Sequence, residues 1–442
     1  MSSPYASVKA QFSTLPAFTP PVPTALLPYI AFFTLLTFFI LSFMFTTLPR
    51  SKNIVPELGT AAIATFAAIA RAQASQVFLP GSADSLEWIS RNFSLPKVII
   101  YSTGGTILAA STYSRLDNLA YGEHQTHPPT ARTLIDEVDE VLDIAQVAIV
   151  TLPPRISNDL TSQYFVNISR HFSIHACRAD SDIAGAIVLH GTSTLAETIF
   201  GIDLTLPCSK PIVAVGSMRP QRALSSDAYL NFYQAISTAI SPSSRGRGAL
   251  IVGNDHITSA FFGTKAHANN PDTFMALEQG HLGYLFAGQP YYFYDAARPT
   301  GKQFFDLSQV EGDLPQVDIL YGHIEFDADL MYASVKLGSR GIVIVGMGAG
   351  DLNAAGDVAA EELALRGIPV IVSARPYTGS SFPRPHPDSK FKTNCMSAEH
   401  ARIQLQLCLA TGMKMEAIRE AFEGPFRRAV YNEATRFYYP AR

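Results

Sequence analysis

The sequence predicts an α/β protein of two lobes preceded by one transmembrane helix. The larger N-terminal lobe is expected to hold a mainly parallel sheet, the smaller C-terminal lobe an α/β layer. Three observations carry the prediction. From about Pro96 onward, short β-branched runs alternate with amphipathic segments. A polar, irregular stretch at 290–316 interrupts that rhythm. Ahead of both, no charged residue lies between Lys9 and Arg50.

The uncharged stretch comes first along the chain. Residues 25–48 (ALLPYIAFFTLLTFFILSFMFTTL) are almost wholly apolar, with no polar face of the kind a buried core helix shows. As a helix they would span roughly 36 Å, enough to cross a bilayer core. Residues 1–24 read as a tail, 25–48 as the transmembrane helix and 49–95 as a juxtamembrane linker. Within that linker Arg50 and Lys52 precede an Ala-rich segment, 59–75. That arrangement also resembles a signal sequence read from Met44. The expected location is therefore the secretory pathway or cell surface, single-pass, with luminal or extracellular lobes. Secretion from a Met44 start is the alternative. Sequons at Asn92 and Asn167 point the same way, and Arg50 and Lys52 weakly oppose it.

Strands are expected at 97–103, 145–152, 185–191, 211–217, 249–255, 317–323, 341–347 and 369–374. Helices are expected at 130–142, 159–175, 226–240 and 357–367. Continuous apolar strands alternating with helices indicate a parallel sheet covered on both faces. The boundaries follow: 96–290 for the first lobe, 291–316 for the connection, 317–425 for the second lobe and 426–442 for a tail.

At 442 residues, 47% of them hydrophobic, the chain can bury a large core. A formal charge of -4 leaves no basic footprint for nucleic acid. The four cysteines, Cys177, Cys208, Cys395 and Cys408, show no zinc-site spacing. No metal and no cofactor are expected. The GMGAG at 346–350 is a lone glycine motif, better read as close backbone packing.

In open parallel sheets ligands bind beyond the C-terminal strand ends. Two polar clusters fall there. One is Thr103-Gly104-Gly105-Thr106, the other His190-Gly191-Thr192-Ser193-Thr194. VIIYSTGGTILAAS (98–111) resembles the first signature of the L-asparaginase/glutaminase family, and IVLHGTSTLAET (187–198) resembles the second. KPIVAVGSMRPQRALSSDAYLN (210–231) and ALIVGNDHITSAFFGTKAHANNPDTF (249–274) are similar to further segments in the same order. The resemblance runs from about Lys97 to Glu423.

It implies hydrolysis of a side-chain carboxamide, L-asparagine or a related small amide, through a threonine nucleophile and an acyl-enzyme. Thr106 takes the nucleophile's position, and Tyr121 (NLAYGEH) that of the lid tyrosine which activates it. Thr192 takes the second catalytic threonine's position, and Lys265 that of its supporting lysine. Gly105 and Gly191 admit backbone N–H groups to the substrate. His190 is expected to be structural, and His124 and His127 to lie on the mobile loop. The family also implies a homo-oligomer, dimer or tetramer. Like periplasmic bacterial members, it implies a Cys177–Cys208 disulfide.

The departures mark this chain as a divergent member with a membrane segment. Ser193 stands where the family has an aspartate that pairs with the lysine and receives the substrate's α-ammonium. The pocket for the α-carboxylate falls at Pro153-Pro154-Arg155, with a proline at the serine position and Arg155 facing substrate. The expected function is an asparaginase-like amidohydrolase. The alternative is a catalytically impaired, membrane-tethered binding protein.

Overall fold

The computed structural model of the chain describes residues 86–110, 114–116, 118–119 and 128–431. Residues 25–48, and with them the expected membrane span, lie outside the described residues, as do Tyr121, His124 and His127.

The large sheet begins with β1 (Trp88–Ile89), β2 (Lys97–Ser102), β3 (Gln146–Thr151), β4 (Ile183–Leu189), β5 (Ile212–Val215) and β6 (Leu250–Gly253). Strands β2 to β6 run parallel in the spatial order β3-β2-β4-β5-β6. Their sequences are continuous apolar runs because both faces are covered: all seven residues of β4 are buried. Alternate residues serve opposite layers. Ile99 and Tyr101 pack beneath α2 (Ser162–Ala176) and α3 (Leu195–Thr205). Val98 and Ile100 pack beneath α1 (Ala131–Glu137) and α4 (Ala228–Ile240).

The large sheet is mixed rather than mainly parallel. β1 pairs antiparallel with β3, so Trp88 and Ile89 belong to the sheet and not to the expected 49–95 linker. On the other side β7 (His256–Ser259), β10 (Gly283–Phe286) and β11 (Gln289–Tyr292) add antiparallel pairings. Asn254 and Asp255 both take positive φ, 52° and 62°, turning β6 back into β7. Ala287 and Gly288 do the same between β10 and β11. Two consecutive left-handed residues make the tight hairpin turn whose twist matches the flanking strands. Between these hairpins, β8 (Thr264–Lys265) and β9 (Phe274–Met275) form a separate two-stranded ribbon.

The second lobe is a four-stranded parallel sheet of β12 (Val317–Tyr321), β13 (Gly341–Gly346), β14 (Val370–Ala374) and β15 (Lys390–Lys392), in that order. Helices α5 (Asp329–Lys336) and α6 (Ala354–Leu365) cover one face. Helices α7 (Ala398–Ala410) and α8 (Met415–Val430) cover the other and join the core beneath α2 and α3. His400 of α7 stacks on Phe200 of α3 with ring centroids 4.2 Å apart. The expected tail from 426 is corrected: α8 continues through Pro425 to Val430. Buried Glu423 binds Arg427 one turn on, at 2.8 Å, and Arg427 donates to Pro385 O. Those side-chain contacts offset the backbone hydrogen bond that a mid-helix proline removes.

The connection is irregular but not loose. Lys302 pairs with buried Asp203 at 2.6 Å, Phe305 N donates to Leu204 O, and Arg170 of α2 donates to the carbonyls of Leu307 and Val310. Among the described residues no helix is long and apolar enough to cross a membrane. The longest, α8, has 16 residues against about 20 for a span. Of the sequons, Asn167 sits inside α2 with Ser169 fully buried against Thr205, whereas Asn92 lies on an exposed turn.

Cys177, capping α2, and Cys208, ahead of β5, are joined by a disulfide with Cα atoms 5.5 Å apart. The bond closes a loop with a sequence separation of 31. Chain-entropy reasoning assigns such a loop about 3–4 kcal/mol. A Cys177→Ser/Cys208→Ser double variant should lose that amount in denaturant unfolding, with a somewhat larger m value because the unbridged unfolded chain exposes more surface. A loss below about 1 kcal/mol would show that the unfolded chain is not restrained by the bond.

Candidate active site

Strands β2 and β4 end side by side, Ser102 opposite Leu189, and both polar clusters leave the sheet there. Thr103 ties the two exits together. Its backbone N–H and its hydroxyl both donate to Leu189 O, at 3.1 and 2.9 Å, and its side chain is fully buried. It is a clamp rather than a turn cap.

The next two residues explain the glycine pair. Gly104 and Gly105 both take positive φ, 110° and 95°, where a side chain is strained. A Cβ on Gly105 would stand 2.4 Å from Gly191 N and Cα, and a Cβ on Gly191 would stand 2.8 Å from Ser157. The two loops therefore lie backbone on backbone, with Ser157 as their floor. Beyond the contact, a short 3-10 turn (Thr106–Leu108) presents Thr106 at the wall of a cavity of about 1030 Å³.

Thr192, Ser193, Arg155 and Lys265 line the same cavity. Lys265 arrives on the β8–β9 ribbon, where it pairs with Phe274, and its Nζ donates to Thr192 Oγ1 at 2.9 Å. Burial lowers the Lys265 pKa from the ordinary lysine range. Among the described residues no carboxylate lies within ion-pair distance of this amine. Ser193 is exposed at the cavity surface, while Thr194 turns away to donate to Ser157 O at 2.8 Å.

His190 is fully buried. Its Nδ1 donates to Gly191 O at 2.7 Å and its Nε2 accepts from the Thr198 hydroxyl at 2.9 Å. Burial holds its pKa down at about 4, so the ring is neutral near pH 7 and spans the start of α3 as a strut. The backbone N–H of Arg155 donates to Thr103 O, which fixes the loop after β3 against the first cluster.

The cavity also has walls that sequence reasoning did not single out: Ser157, Asn158, Met218, Arg219 and Asn269. Met218 and Arg219 are held by Asp227, whose carboxylate accepts from both backbone N–H groups at 2.9 Å. Their signal was present in the MRP…SSD run of the third similar segment. Asn158 and Asn269 sit in loops whose composition carries no such mark.

The chain matches the family models described as "Asparaginase, N-terminal" over residues 97–298 and "Glutaminase/Asparaginase C-terminal domain" over 316–422. It is 38% identical to L-asparaginase 2-3 of Saccharomyces cerevisiae over 341 residues, covering 76% of this chain and 92% of the yeast one. It is 33% identical to L-asparaginase 2 of Bacillus subtilis over 338 residues, covering 75% and 88%. The fold superposes on the crystal structure of a probable cytoplasmic L-asparaginase from Campylobacter jejuni with a TM-score of 0.68. There the identity is 27%, over 74% of this chain and 99% of the other.

These matches give no ground for setting the chain apart as divergent, nor for a membrane-tethered binding protein. The expected secretory placement, single-pass or secreted from Met44, is overturned. The superposed chain is described as probably cytoplasmic, and the described helices are too short or too polar to span a bilayer.

Proposed function

Since the chain belongs to the asparaginase family and is a hydrolase acting on amides, we propose that it cleaves a side-chain carboxamide, with Thr106 as nucleophile and Thr192 and Lys265 as its proton-handling partners. The observation that carries this reading is the 2.9 Å contact of Lys265 Nζ with Thr192 Oγ1 in the cavity that Thr106 lines.

In the proposed reaction Thr106 Oγ1 attacks the amide carbon and its proton passes to a base. Backbone N–H groups of the two glycine loops are the donors assigned to the developing oxyanion. The C–N bond breaks, the leaving nitrogen takes the proton, and ammonia departs. Water then attacks the acyl-enzyme, losing its proton toward Thr192 and Lys265; the ester bond to Thr106 Oγ1 breaks, that oxygen takes up a proton, and the acid product departs. Only a neutral lysine can take that proton, and desolvation lowers the Lys265 pKa in the direction that favours the neutral amine. Tyr121, outside the described residues, keeps its proposed lid role, and Arg155 with Ser193 is assigned to the acyl portion of the substrate. The dimer or tetramer is part of the same proposal, and sedimentation velocity measures it.

Ammonia release from L-asparagine, L-glutamine and N-acetylasparagine tests the reading, with Thr106→Ala as control. Release from none of them would overturn it. Position 193 sets the preference within that panel. Ser193→Asp should raise the rate on asparagine relative to N-acetylasparagine by roughly 30- to 150-fold, because a charge-assisted contact with the free α-ammonium is worth about 2–3 kcal/mol. The new carboxylate also raises the Lys265 pKa, so the pH profile should move upward. An unchanged substrate ratio would remove Ser193 from α-amino recognition.

A further inference from the structure

Near the catalytic ribbon, among residues that do not line the cavity, lies a cluster that the reaction does not use. His256 opens β7, Asp272 precedes β9, and His281 precedes β10. Each offers one donor atom, and the three atoms lie within 4.8 Å of one another. The imidazoles of His256 and His281 stack with centroids 4.0 Å apart.

Two details point to a cation. His256 Nδ1 is buried and has no hydrogen-bond partner, although Asp272 Oδ1 stands only 3.2 Å away. The two atoms are close but out of line for a hydrogen bond, and their separation is near that of two donors on one tetrahedral ion with bonds of about 2.1 Å. Secondly, His281 Nδ1 is bonded to the Thr258 hydroxyl at 2.9 Å, and that hydroxyl donates onward to Phe274 O at 3.4 Å. With the hydroxyl proton so directed, Nδ1–H donates to Thr258 Oγ1 and Nε2 keeps a free lone pair. Such an outer hydrogen bond is how metal-ligating histidines are oriented.

We propose that His256, Asp272 and His281 bind one divalent transition-metal ion. Two imidazoles and a carboxylate suit Zn²⁺ and its first-row neighbours rather than Ca²⁺ or Mg²⁺. The ligands come from three segments of the fold, which is why no spacing motif marks them in the sequence. Phe274, whose carbonyl accepts from Thr258 of β7, is the strand partner of Lys265, so the ion would fasten the ribbon to the β7–β10 part of the large sheet.

The test is calorimetric titration of ZnCl₂, and separately MgCl₂, into the chelator-treated full-length chain, with metal content checked by mass spectrometry. One equivalent of Zn²⁺ and no Mg²⁺ binding is expected. His256→Ala/His281→Ala should take up none, and Thr258→Val should bind roughly 10- to 100-fold more weakly. Asp272→Asn, a change on the loop ahead of β9, guards against misfolding of the double variant and should also lose the equivalent. No stoichiometric uptake by the unaltered chain, or equal uptake by the variants through other histidines, would overturn the site. Neither readout depends on hydrolysis.

Discussion

Thr106→Ala should lower amide hydrolysis by roughly 10⁴-fold or more while leaving the fold unchanged. Removing a nucleophile abolishes the covalent route altogether, and what survives is the contribution of binding and of the oxyanion donors. The fold should survive because the side chain lost is small and sits at a cavity wall, on a turn held by backbone bonds from Leu108 N to Gly105 O and from Ala109 N to Thr106 O. Steady-state ammonia release, unfolding midpoint and substrate binding measured on one preparation decide the matter. Activity within tenfold of the unaltered chain would move the nucleophile elsewhere, Thr192 first.

Lys265→Met is expected to cost roughly 10³-fold, within the range for loss of a positioned acid–base group. Its sign in pH follows from burial. Only the neutral amine can accept a proton, and desolvation lowers the Lys265 pKa, so the rate should rise with pH through that lowered value and then level off. In the Met variant this rise should vanish. Lys265→Arg, charged at every accessible pH, should not restore it. A pH profile unchanged in the Met variant would limit Lys265 to holding Thr192 in place.

The central strands were legible because burial on both faces demands unbroken apolar runs. The expected 97–103 and 145–152 differ from β2 and β3 by a residue at most ends. The antiparallel half was not legible. Asn254-Asp255 is not the Asn-Gly pair that advertises a tight hairpin turn, and β7 and β10 are only four residues each. Helix α8 was not foreseen, and the tail expected from 426 falls inside it: the helix runs on through Pro425, with Glu423 paired to Arg419 and Arg427 one turn to either side. The site was half legible. Polar clusters at strand ends follow from parallel-sheet physics, but nothing in the spacing of Thr192 and Lys265 foretells their contact. Family resemblance placed it, and the ribbon of β8 and β9 is what delivers it.

The contact between Gly105 and Gly191 has a consequence for timing. Were the two loops independent, Thr106 and the Thr192–Lys265 pair would have to find each other anew at every turnover, at the entropic cost of ordering flexible chain. Because Gly191 lies where a Gly105 side chain would be, and Ser157 where a Gly191 side chain would be, the loops are seated as one body when the sheet forms. The ordering is completed once, during folding, and under the proposed reaction the Thr106 hydroxyl would meet each bound amide at the high effective concentration of a preassembled pair.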